Sequence, residues 1–342
     1  MFSLAILCAT LLGTYAGAAE TLHLSSDGQW KNAANEPDGK LLLAAAKIKQ
    51  VVDTGDTESA LKSIAQLKAD FPDIAGADLD IFTEAEMLYA KGKWNKAIEK
   101  YDQLLDSFPD SWLFASAIER QFSVATDFLT GEKRVLMKFL KLSAYDEGEN
   151  IMHKIADRTG DAPIAKRALR AVAESYETRK KFLDAYEAWA EISTRWPTGQ
   201  MAKEALLRMA QDQHSAYKSP NYDSSSLLGA KSYYNNFKNR YPQLESEHEI
   251  NDKINMIDEQ LAYKQFTVGQ YYDRSDSPQA ANIYYRYVIN SWPGSAAAKM
   301  ANAKIEENKV PAGQAAKKDR KLGRKLFDAG NSFLDKWPGI LK

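Results

Sequence analysis

Apolar and small residues recur three and four apart along most of this chain, interrupted by short polar breaks and closed by prolines. The stretch 82–111, FTEAEMLYAKGKWNKAIEKYDQLLDSFPDS, shows the unit most clearly. Ala85 and Leu88 precede a break at Lys91-Gly92-Lys93, and Ala97, Tyr101 and Leu104 follow it, all at helical spacing. Pro109 ends the second run, because proline lacks the N–H a continuing helix needs. The pattern predicts two short amphipathic helices folded into a hairpin. Counted back from the proline, the second helix has alanine at twelve residues, an aromatic at eight and an aliphatic at five.

The same ruler finds this unit elsewhere. Pro197 gives Ala185, Trp189 and Ile192, with Ala173 and Tyr176 on the partner helix. Pro293 gives Ala281, Tyr285 and Val288, preceded by Gly269 and Tyr272. Pro242 yields Ala230, Tyr234 and Phe237, and Pro72 yields Ala60, Ile64 and Leu67. Pro163 fits poorly, with Ile151, Ile155 and Arg158. A lone hairpin cannot bury its apolar face, so such repetition requires stacking. The expected fold is all-α: a tetratricopeptide-repeat superhelix, an α-solenoid of about five to six helical hairpins. Its packing residues are Ala97, Tyr101, Ala185, Trp189, Ala281 and Tyr285, and each repeat proline is expected just past a helix end.

The chain is expected to divide into four segments. Residues 1–18 read as a signal peptide: the apolar run Phe2–Leu12 is too short to span a bilayer, and Ala16-Gly17-Ala18 offers a small-x-small cleavage site. Cys8 is the one cysteine, and Leu7 stands where a lipid-attachment motif wants a small side chain, so the expectation is cleavage after Ala18 without a lipid anchor. Residues 19–39 are polar and read as a flexible N-terminal segment. The solenoid covers 40–310. Within it, Pro109 and Pro163 stand 54 residues apart against 37 for Pro72 and Pro109, which marks an insertion between Leu129 and Glu149. A second, loop-like insertion runs from Lys218 to Ser226, and a long helix is expected over Glu245–Asp273. Residues 311–342 form a basic amphipathic tail. Leu322, Leu326, Phe333 and Trp337 fall on one helical stripe, opposite Lys318, Lys321, Lys325 and Lys336. That stripe suits either docking to a partner or an anionic membrane surface, or a cap on the last repeat.

Charge nearly cancels, 45 basic residues against 46 acidic, so no overall field favours nucleic acid. The four histidines, His23, His153, His214 and His248, do not form a zinc-protease motif. Neither a glycine-rich phosphate loop nor a nucleophile elbow is present. Glu84 with Glu86, and Asp78 with Asp80, are two apart and point to different helix faces, which makes poor catalytic dyads. The expectation is no catalytic residue, no metal site and no cofactor.

Helices ending in F-P-D, W-P-T, Y-P-Q and W-P-G, each followed by an alanine-rich helix, resemble the BamD-like outer-membrane assembly lipoproteins. The leader, the insertion TGEKRVLMKFLKL and the segment SPNYDSSSLLGAKSYYNNFKNRYP carry the same resemblance, which spans roughly residues 40–310. It departs from the family at Cys8, where the lipid-attachment motif is missing. The resemblance implies a non-catalytic periplasmic scaffold at the inner face of the outer membrane. Such a scaffold binds the barrel assembly protein BamA and unfolded β-barrel precursors, with possible peripheral outer-membrane contact. The early repeats would form a groove for an extended segment, lined here by Phe82, Glu86, Tyr89 and Arg120. The competing reading is another periplasmic tetratricopeptide adaptor that coordinates cell-envelope or cell-wall machinery.

Overall fold

The computed structural model describes residues 22–24, 30–32, 37–74, 76–131, 133–137 and 140–309. The leader with Cys8 and the tail residues Leu322, Leu326, Phe333 and Trp337 lie outside the described residues. Two compact units divide the chain after Phe128. The fold is all-α and of the tetratricopeptide solenoid type, with thirteen α-helices among the described residues.

The first unit contains α1 (Pro37–Asp53), α2 (Thr57–Asp70), α3 (Ala77–Ala90) and α4 (Trp94–Ser107), and most of α5 (Phe114–Leu129). The pairs α1–α2 and α3–α4 are hairpins, and α3 also packs on α1 and α2. Ala60, Ala85 and Ala97 are fully buried, so the helix backbones approach closely at their crossings. In the second unit α6 (Tyr145–Thr159), α7 (Pro163–Thr178), α8 (Phe182–Arg195) and α9 (Gly199–Ser215) follow one another. Then come α10 (Ser225–Arg240), α11 (Ile250–Arg274), α12 (Pro278–Ser291) and α13 (Ala296–Asn308). Each of these helices packs on the next in sequence. One core joins Leu169, Trp189, Ile192 and Ala205; a second joins Leu206, Tyr234, Phe237 and Ile257; a third joins Phe266, Ala281, Tyr285 and Val288. Tyr233 packs against the first two cores and Trp292 against the last two, so the apolar interior runs on without a gap.

The prolines act as the sequence pattern requires. Phe71, Phe108, Trp196, Tyr241 and Trp292 each cap a helix with φ between −128° and −136° and ψ between 58° and 78°. These values lie outside the α region, which a following proline disfavours. Each of their N–H groups still donates to the carbonyl four residues back, so the helix loses little in stopping. Pro163 differs: it is the first residue of α7, where its missing N–H costs nothing. Inside the hairpins, Gly92, Lys180 and Asp276 share a left-handed backbone, with φ of 67°, 58° and 53°. The residue after each donates back to Leu88, Tyr176 and Tyr272, which closes the same short turn three times.

Three further features depart from expectation. The 129–149 insertion contains an antiparallel ribbon of β3 (Lys133–Met137) and β4 (Leu140–Ser143), paired Lys133 with Ser143 and irregular between Val135 and Met137. Helical spacing is absent there, and Gly131, at φ 102°, ends the preceding helix. In the segment expected to be loose, β1 (Leu22–Leu24) pairs with β2 (Trp30–Asn32), and α1 already begins at Pro37. The long helix after Pro242 starts at Ile250, five residues later than its composition suggested, behind a 3-10 turn at Pro242–Leu244.

The predicted packing residues Ala97, Tyr101, Ala185, Trp189, Ala281 and Tyr285 are all fully buried. Their rings bring a polar atom inside, and a first-helix acid meets it. Tyr101 Oη donates to Glu86 at 2.5 Å, Trp189 Nε1 to Glu177 at 2.8 Å and Tyr285 Oη to Asp273 at 2.5 Å. Gly269 is what lets the last ring lie flat on α11. A Cβ there would stand 2.5 Å from Tyr285 Cε1 and 2.8 Å from Cδ1. Gly269→Ala should therefore cost about 1–3 kcal/mol by overpacking, read as a shifted denaturation midpoint. An unchanged midpoint would mean that the ring can move aside.

Asp212 on α9 supplies a pH signature. It is buried, and one carboxylate oxygen has no hydrogen-bond partner. Burial, reinforced by the neighbouring Glu177 and opposed by Arg208, pushes its pKa up to about 7. An unfolded aspartate titrates near 4, on the order of three units lower. Between those values the folded chain keeps a proton that the unfolded chain has released, so this group's contribution falls as pH rises from about 4 to about 7 and is level above. Asp212→Asn should flatten that part of the stability–pH curve and leave the variant more stable than the parent at pH 8. A curve of unchanged slope would show that Asp212 titrates normally.

Candidate binding cleft

The first helices of successive repeats in the first unit, α1, α3 and α5, line a cleft of about 440 Å³. Its walls are largely apolar. Ile48 comes from α1, Ile64 and Leu67 from α2, and Leu79 and Phe82 from α3, while Trp112 and Leu113 precede α5. Trp112 remains 37% exposed, enough for its ring to meet a ligand. Phe82 is half-buried, and its ring lies 5.9 Å from that of Tyr101.

Beneath this apolar wall sits a charged floor. Arg120 on α5 donates from Nε and Nη2 to the two oxygens of Glu86, at 2.9 and 2.7 Å, a bidentate fork. Its Nη1 meets Asp53 at the end of α1, and Nη2 reaches the Lys49 carbonyl at 3.5 Å. The guanidinium also lies over the Tyr89 ring, 4.7 Å from its centre. Glu86 is 1% exposed and Arg120 4%. Burial, with the Glu86 carboxylate next, drives the Tyr101 hydroxyl well above the usual tyrosine range. For Arg120, burial opposes the charged form, but Glu86 and Asp53 outweigh it and hold the guanidinium protonated.

The structure thus brings Phe82, Glu86 and Arg120 to one cleft, with Tyr89 stacked beneath the arginine. The sequence reading places Glu86 and Arg120 on the lining of a groove. Their burial instead makes them part of the packing, tying α1, α3 and α5 together. Asp53 and Trp112 were not singled out. Asp53 reads locally as a turn acid, and its partner stands 67 residues away, so no local signal could mark it. Trp112 could have been found as a large aromatic stranded between a helix-ending Pro109 and the next helix. Among the described residues, no group of three or more His, Cys, Asp or Glu side chains could hold a metal ion.

Residues 209–322 match the family model for the YfiO outer membrane lipoprotein. The chain is similar to that family over that stretch. Residues 82–111, which contribute Phe82, Thr83 and Glu86 to the cleft, match the tetratricopeptide-repeat model. No curated protein matches the chain. A solved structure, the C-terminal part of a tetratricopeptide repeat-containing protein from Cytophaga hutchinsonii, aligns at 12% identity with a TM-score of 0.34. The alignment covers 78% of this chain and 87% of that one, a likeness too loose to argue from.

Removing one partner of a buried ion pair strands the other. Arg120→Ala should therefore lower stability by about 3–5 kcal/mol, against about 0.5–2 kcal/mol for Tyr89→Ala, which loses only the ring beneath the cation. An apolar double replacement, Arg120→Met with Glu86→Leu, should recover only part of the loss: it leaves no buried charge and returns the half-exposed Asp53 to water, but it strands the buried Tyr101 hydroxyl that Glu86 accepts. Denaturant melts of the variants decide it. A mild Arg120→Ala would mean that the pair is solvated.

Proposed function

We propose that this protein is a non-catalytic scaffold of the cell envelope that holds extended protein segments in the α1–α3–α5 cleft. The reading is that of the BamD-like assembly lipoproteins. It acts in the periplasm at the inner face of the outer membrane, where it binds a barrel assembly protein and unfolded β-barrel precursors. The similarity of residues 209–322 to an outer membrane lipoprotein family supports the envelope location. Tetratricopeptide repeats support a protein-interaction role, because stacked helices expose long surfaces that bind peptides without chemistry.

The observation that carries the binding reading is the cleft itself. Its apolar wall ends in the exposed Trp112 ring, and its floor is already fixed by the Arg120–Glu86 pair. Such a site offers apolar contact at little cost in reorganisation. Extended precursors lose conformational freedom on docking, so affinity should be modest and exchange rapid. Recognition would rest on apolar and aromatic side chains, since the charged floor is saturated by its own partners.

The test is to titrate fluorescent, aromatic-ended extended peptides against the parent chain and Trp112→Ala. Truncating a half-exposed ring at the cleft mouth should weaken binding by about tenfold while the melting temperature stays within a degree or so. Equal binding by parent and variant would remove the cleft from the account.

A further inference from the structure

The second unit holds a larger cleft that the proposed peptide site does not use. It lies where the start of α11 faces the connection between α12 and α13, and encloses about 890 Å³. Met256, Trp292 and Pro293 give it an apolar floor. Its rim is acidic, with exposed Glu249 and Asp252 opening it, while Asp258 and Glu259 stand deeper. The deeper pair is engaged. Asp258 accepts from Trp292 Nε1 at 3.1 Å and from Lys231, and Glu259 accepts the Ala296 N–H with both oxygens at 3.0 Å. Within the lining, Lys253 is the one basic residue.

We propose that this cleft is the seat of the chain's own C-terminal segment, residues 317–337, docked as a basic amphipathic helix on the last repeat. Three observations converge. Charge matches: Lys317–Lys342 carries eight basic and three acidic residues, facing a rim whose acids outnumber its base. Shape matches: Leu322, Leu326 and Phe333 recur at helical spacing, and the floor they would meet is Met256 and Trp292. Reach matches as well. The cleft borders the start of α13 at Ser295, and α13 is thirteen residues long, about 20 Å at 1.5 Å per residue. The seven residues 310–316 span up to about 23 Å when extended, enough to return along the helix. Pro311 and Gly313 there suit a reversal rather than a continued helix.

The experiment uses the full chain with carboxyl–amine zero-length cross-linking, read by peptide mass spectrometry on an equal mixture of light- and heavy-isotope protein. The expected result is light–light and heavy–heavy links from Lys317–Lys325 to Glu249 or Asp252. These should be lost in high salt and in Lys318→Glu/Lys321→Glu/Lys325→Glu. They cannot simply be rebuilt in the charge-swapped chain, which adds Glu249→Lys and Asp252→Lys, unless the pairing is direct. In that swapped chain the links should reappear with their chemistry reversed. Mixed light–heavy links would overturn the proposal, since the tail would then reach a second copy. So would an absence of cleft links while the tail binds phosphatidylglycerol vesicles, which would make it a membrane element.

Discussion

A ring laid across a helix pair, with its polar atom bonded to an acid on the partner helix, is the contact on which the rest of this structure depends. Tyr101 with Glu86, Trp189 with Glu177 and Tyr285 with Asp273 are three instances of one device. Burying a large ring drives the packing, but its hydroxyl or N–H must find a partner or the gain is forfeited. The alanine four residues earlier, at Ala97, Ala185 or Ala281, leaves the room. Each hairpin thereby fixes both its crossing distance and its register. In the first unit the device has a second use: Glu86 accepts the Tyr101 hydroxyl and also holds Arg120, so the bond that packs one repeat anchors the next.

That coupling explains why an open apolar cleft can form beside a charged cluster. Buried ion pairs contribute little net stability, because desolvation offsets attraction, yet they fix geometry sharply since any other arrangement strands a charge. Arg120 touches α1 through Asp53 and Lys49, and α3 through Glu86 and Tyr89. The three helices that line the cleft are thus held at set distances from below, and the upper wall is free to be apolar and open. Rigidity beneath and exposure above is the arrangement a site for extended segments needs.

Much of the architecture was legible because tetratricopeptide hairpins are written locally. Proline stops, small crossing residues and rings at fixed offsets all lie within one repeat, and the helices fell close to where those marks put them. Pro163 fitted the frame poorly because proline both ends helices and begins them, and this one begins α7. The β3–β4 ribbon was seen only as an interruption, since a short stretch without helical period has no single reading. At the cleft, the closeness of Phe82, Glu86 and Arg120 was legible from the early repeats, with Tyr89 beneath the arginine. Their burial was not, because it depends on Asp53, which sits 67 residues from its partner. Sequence shows which face a residue occupies on its own helix; whether a neighbour then covers that face is a tertiary fact.

The central claim is that the α1–α3–α5 cleft receives unfolded protein segments in the envelope, and the most direct measurement is site-specific photo-cross-linking in living cells. A photoreactive residue replaces Ser116, which lines the cleft, and in a control chain Glu99, which stands exposed on α4. The account predicts adducts from position 116 to outer-membrane β-barrel precursors that appear during synthesis and decay as the barrels mature, with none from position 99. Equal adducts from both positions, or adducts from 116 that never include such precursors, would contradict it.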